Sequence, residues 1–93
     1  MLEFEAVVTD IREESRVGRT VRWQLQLDAT DFTEGDVGEL RAVARSGAVL
    51  SVPVLSVAVS GSGEVWHVVE KPLGTGTEVV ATVRREPVGE SRG

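Results

Sequence analysis

The 93-residue sequence predicts an α+β, β-rich domain. Its expected order is an antiparallel hairpin, one short helix at about 34–46, then three or four antiparallel strands forming a bent sheet or small open barrel. Three observations predict this. Apolar and polar residues alternate through Thr20–Asp28, the period changes after Thr33, and a valine-rich run without charge, AVLSVPVLSVAV, fills Ala48–Val59.

The first strand is expected over Leu2–Thr9. Leu2, Phe4, Ala6 and Val8 share one face, and Glu3 and Glu5 share the other, the two-residue period of a half-buried strand. Val7 and Ile11 break the alternation, which suggests a bulge near Asp10. The polar stretch REESRVGRT reads as a hairpin loop with its tip near Ser15–Arg19, because Gly18 can take a positive φ. In the second strand, Val21, Trp23, Leu25 and Leu27 face one way and Arg22, Gln24, Gln26 and Asp28 the other.

The helix rests on four signals that agree. Thr33-Glu34-Gly35-Asp36 loosely matches a capping box, with Asp at the fourth position. Val37, Leu40 and Ala44 form a stripe widened by Val43. Glu34 and Asp36 fall in the first turn and Arg41 and Arg45 near the last, as the helix dipole favours. Gly47 suits the position just past a helix end.

In the run Ala48–Val59 both parities are mostly apolar, so both faces of the strand are expected to be covered. Valine favours strand, and Pro53 argues against a helix and removes one ladder donor. Two short strands, or one bent strand hinged near Pro53, follow. The run is well short of the ~20 apolar residues that cross a bilayer. Ser60–Gly63 reads as a tight turn, Glu64–Glu70 as a strand, Lys71–Gly76 as a loop and Thr77–Arg84 as the last strand. Residues 1–85 are read as a single domain and 86–93 as a flexible C-terminal tail.

Composition narrows the function classes. A chain this size fits one domain with a thin core. It has no cysteine, so a disulfide framework and thiolate metal sites are excluded. The first ten residues lack the basic and apolar regions of a secretory signal, which points to a cytoplasmic protein. Net charge is −5, which disfavours nucleic acid and anionic membrane as partners. Lys71 is the only lysine among ten basic residues, the bias of a high-GC genome. A short acidic chain from such a host fits a phage or mobile-element protein, virion-associated in that case.

Candidate sites were weighed against plainer roles. The acidic segment from Asp28 to Glu39 fails as a calcium loop, because Thr33 stands where glycine is required, and turn chemistry accounts for its acids. Arg12, Arg16, Arg19 and Arg22 gather at the first hairpin beside Trp23 and offer an anion or nucleic-acid contact. Glu13 and Glu14 interrupt that cluster, and charge on a ribbon also blocks edge pairing. Arg41 and Arg45 lack an acidic neighbour at helical spacing; placement near the helix C-terminus is the preferred account of them, with a carboxylate from another strand or from a partner protein as the alternative. His67 is the only histidine, shares a face with Val65 and Val69, and reads as structural. Gly61/Gly63 and Gly74/Gly76 fail the phosphate-loop patterns and read as hairpin glycines. No catalytic residue, cofactor or metal is expected. The remaining signal is apolar excess: one short helix covers one face of a sheet, so Val57, Val59, Trp66 and Val68 are expected to meet a protein partner or a second copy. The sequence therefore predicts a non-enzymatic protein–protein interaction or structural module, self-associating, with a small nucleic-acid-binding β-barrel as the alternative.

Overall fold

A single strand that changes sheets sets the architecture. The structure, a computed structural model, describes residues 2–44 and 46–84. It contains seven strands: β1 (Leu2–Val17), β2 (Thr20–Leu27), β3 (Val37–Val43), β4 (Val49–Val54), β5 (Ser56–Val59), β6 (Val65–Val69) and β7 (Glu78–Arg84). Every pairing is antiparallel, in the order β4-β3-β7-β1-β2-β6-β5. The first half of β1, Leu2–Val7, pairs with β7, and from Val8 onward its other edge pairs with β2. The register shift between Val8 and Asp10 marks the corner, as bends and bulges do where a strand passes from one sheet to another.

The opposite corner is made by β4 and β5. They are separated only by Leu55, and β4 pairs with β3 while β5 pairs with β6. The two ends of the strand order are thus nearly one bent strand, and the sheet closes on itself. The hinge expected near Pro53 falls at Leu55, whose N–H donates to the Val68 carbonyl at 2.8 Å.

The expected helix over 34–46 is not present; the fold is all-β, and Val37–Val43 is a central strand between β4 and β7. Its true period is two. Gly38, Leu40 and Ala42 are buried, and Val37, Glu39, Arg41 and Val43 face outward. Glycine adds nothing to an apolar pattern, so the inward set was hidden. A short isolated helix is marginal in water, whereas this segment gains a hydrogen-bonded ladder on both edges. The residues taken for caps serve turns instead. Asp36 N–H donates to the Thr33 carbonyl at 3.0 Å, and the Asp36 carboxylate accepts from Thr33 N–H at 2.8 Å. Gly47 closes the β3–β4 hairpin at φ 90°. Arg45 and the expected tail at 86–93 lie outside the described residues.

With no helix available, a loop residue fills the barrel. Phe32, from the β2–β3 connection, is buried in the core. Its ring packs edge-on against Phe4 at 5.9 Å and against His67 at 5.0 Å between centroids. It rests on the bare backbone of Gly38, where a Cβ would meet the Phe32 ring at 3.0 Å and overlap the Thr82 carbonyl oxygen. Leu73, from the β6–β7 connection, joins the same core. Around them lie Val8, Leu25, Leu40, Val52, Val54, Val69, Ala81 and Val83.

Replacing Phe32 with Ala is expected to lower stability by about 3–5 kcal/mol through loss of a large buried ring. Gly38→Ala is expected to cost about 1–3 kcal/mol by overpacking. Denaturant unfolding measures both; a Gly38→Ala midpoint equal to wild type would contradict the close approach at that position.

Candidate interaction surfaces

The groups that could carry chemistry are built into the frame. His67 is fully buried on β6, opposite Leu25 and Val57. Its Nδ1 lies 2.8 Å from the Leu25 carbonyl oxygen, which can only accept, so Nδ1 carries the proton. Nε2 must then accept, and the Thr30 hydroxyl donates to it at 2.9 Å. Thr30 Oγ1 in turn accepts from Phe32 N–H at 3.0 Å. This relay fixes one neutral tautomer and ties the Phe32 loop to β6. Burial lowers the His67 pKa below its ordinary value, partly opposed by the bond to Leu25. Among the described residues, no group of three or more His, Asp or Glu side chains is placed to hold a metal ion. None of them forms a helix long and apolar enough to cross a membrane.

The arginines expected to meet an anion are mostly engaged. The Arg12 guanidinium lies 3.8 Å over the Trp66 ring, and its Nε donates to Gln24 Oε1 at 2.6 Å. Arg16 pairs with Glu13 at 3.5 Å and Arg22 with Glu70 at 3.7 Å. Among the described residues, only Arg19 of the four shows no such contact; it sits in the two-residue turn between β1 and β2. Gly18 takes φ 60° there and no described non-glycine residue has a positive φ, so the turn is of type II′. The stretch read as a loop is strand: β1 runs to Val17 and pairs with β2 as a ribbon. Beyond Trp23 that ribbon has no third strand among the described residues. Arg41 lies on a strand and so serves no helix C-terminus; it pairs with Glu3 on β1 at 2.9 Å.

Three of the four residues expected at a partner interface are buried within the single chain. Val57 belongs to the core, and Trp66 and Val68 are only 5% and 3% exposed on the other face of β6. Val59 alone remains accessible, at 39%. Val57 turns into the core, and on the outer face of β6 Arg12 shields the indole; the indole Nε1 has no acceptor among the described residues.

The apolar surplus lies elsewhere. Val43 is 66% exposed, Val49 60% and Leu50 42%, all at the end of the β3–β4 hairpin. The expected helix includes Val43 in its apolar stripe, and both faces of Val49–Leu50 are expected to be covered. The usable signal was their symmetry about Ser46, which makes Val43 and Val49 facing residues of a hairpin. No charged residue occurs from Ser46 to Gly63. The free side of β4 has its own pattern. Ala44 N–H donates to the Ala48 carbonyl at 2.8 Å, and pairs alternate from there. Backbone groups of Leu50, Val52 and Val54 therefore face β3, and those of Val49, Ser51 and Pro53 face away. Pro53 loses its donor on the side where no bond is broken. Among the described residues, β4 pairs with β3 alone.

Because unfolded chains bind the His67 proton more tightly than the folded protein does, stability rises with pH across its titration. The contribution is complete above about pH 6.5 and falls as acidification proceeds below it. Unfolding measured at pH 7.5 and 5.0 should show this loss, and a His67→Gln variant should show less of it; equal losses would contradict the assignment.

Compared with protein-family models, curated proteins and solved structures, the chain has no match in any of the three.

Proposed function

We propose that the chain is a non-enzymatic structural or protein–protein interaction module that associates with itself. The observation that carries this reading is the end of the β3–β4 hairpin. Val43, Val49 and Leu50 are exposed there beside a strand edge with no neighbour among the described residues. Exposed apolar side chains grouped at an unpaired edge favour association. The β4 strand itself carries no charge, and its neighbour on that face, Arg41, is paired with Glu3, so in a chain of net charge −5 no acidic side chain of β4 opposes the approach of a second copy. His67, the residue best suited to acid–base chemistry, is fully buried and fixed by hydrogen bonds at both ring nitrogens. A phage or mobile-element setting, as the residue usage suggests, suits a small building block of this kind.

The alternative, a nucleic-acid-binding barrel using Arg12, Arg16, Arg19 and Arg22, has weaker support. Three of these cations already face an aromatic ring or a carboxylate.

Sedimentation velocity from about 5 to 500 μM, a range that brackets micromolar affinities, should show the mass rising above that of one chain. A strict monomer throughout, retaining no protein from its host, would contradict the proposal. Oligonucleotides at low salt, where electrostatic affinity is greatest, should not bind; tight binding there would favour the alternative.

A further inference from the structure

We infer that two copies of the chain join through β4, edge to edge and antiparallel, about a two-fold axis at Leu50. The inference rests on the self-association proposed above and names the surface and register that produce it.

The register follows from which backbone groups are free. Only Val49 and Ser51 carry both an N–H and a carbonyl on the open side of β4, because Pro53 has no N–H. Placing Val49 opposite Ser51 of a second copy pairs all four groups on each strand, since such a pair exchanges both of its bonds. Symmetry then repeats the pairing on the other side of the axis. Leu50 meets its own symmetry mate between the two bonded pairs. Its side chain, 42% exposed in one copy, packs against the same residue of the other. The next position brings Pro53, which has no N–H, opposite Gly47 of the hairpin turn, which ends the ladder.

A second copy fits this edge better than other occupants, because the edge is uncharged and self-complementary. Each flanking residue from Ser46 to Gly63 is neutral, so the symmetric pairing places no like charges together. The other exposed edge of comparable length, in the second half of β1, carries Arg12, Glu13, Glu14 and Arg16. Its Ile11 N–H is also taken by the Asp10 carboxylate at 2.8 Å. That edge is protected, and among the described residues nothing protects the β4 edge. Two-fold pairing uses the same edge on both copies, so the assembly closes at a dimer and does not extend into a fibre. Two bonded residue pairs and one apolar pair make a contact at the small end of specific interfaces, below about 1,200 Å² in total.

The chain has no cysteine, so one introduced thiol reports on one position. Facing residues of a non-hydrogen-bonded antiparallel pair have Cα atoms about 4.5 Å apart, within the reach of a disulfide. On mild oxidation Leu50→Cys should form a covalent dimer at least ten times faster than Val17→Cys, although Val17 is the more exposed of the two at 76%. Ser51→Pro removes one free-edge donor and no bond to β3, so it should leave the circular dichroism spectrum unchanged and weaken the dimer at least tenfold in sedimentation. Val49→Glu, which sets a charge beside the axis, should do the same and serves if Ser51→Pro fails to fold. A wild-type dimer that survives both substitutions, with Leu50→Cys no faster than Val17→Cys, overturns the β4 contact and leaves self-association standing. A wild type that stays monomeric at every concentration overturns both.

Discussion

The fold depends on one ring seated on one bare backbone. Phe32 enters the barrel from a loop and lies against Gly38, Phe4 and His67. Without it, a ring of strands closed at two corners would enclose a void that small aliphatic side chains cannot fill. Its position is held by hydrogen bonds as well as by packing. The Phe32 N–H, the Thr30 hydroxyl, the His67 imidazole and the Leu25 carbonyl form an unbroken line from the loop to β2. A polar relay so deep in a thin core is acceptable because both ring nitrogens of His67 are satisfied.

Closure of the barrel decides what the surface can do. It turns Val57 inward, while Trp66 and Val68, on the outer face of β6, lie beside Arg12 and Gln24 and keep almost no exposed area. It also sorts the strand edges. The β1 edge of the ribbon is charged and partly capped by Asp10, and β5 receives the Gly35 N–H on its Val57 carbonyl at 3.2 Å. Among the described residues the short β4 edge has neither protection, and Pro53 limits it to two residues. Open pairing groups, apolar side chains and absence of charge coincide at that one place, which is the physical basis for locating self-association there.

Much of the strand layout was legible from residue patterns. Alternation placed the start of β1 and all of β2, and Gly-rich turns bounded β6 and β7. What failed did so for identifiable reasons. The helix reading counted Val37, Leu40 and Ala44 and passed over Gly38, whose burial depends on Phe32 and on the Thr82 carbonyl, both outside that segment. Thr33, Asp36 and Gly47 are stop-and-start residues for turns as well as for helices, so they could not distinguish the two. From Glu13 onward β1 shows no alternation, because its core-facing residues end with Ile11; only its register with β2 makes the rest a strand. The expected interface on β6 failed because its cover, Arg12 and Gln24, comes from strands distant in sequence. The structural role read for His67 agrees with its placement, but its partners Thr30 and Leu25 could not be named from spacing alone.

Amide hydrogen exchange, followed residue by residue at low and high protein concentration, tests the account most directly. Leu50, Val52 and Val54 amides, bonded toward β3, should exchange slowly at every concentration. Val49 and Ser51 amides should exchange fast in dilute solution and slow markedly as concentration rises. Fast exchange of Val49 and Ser51 at all concentrations would contradict the claim that this edge is where the chain finds its partner.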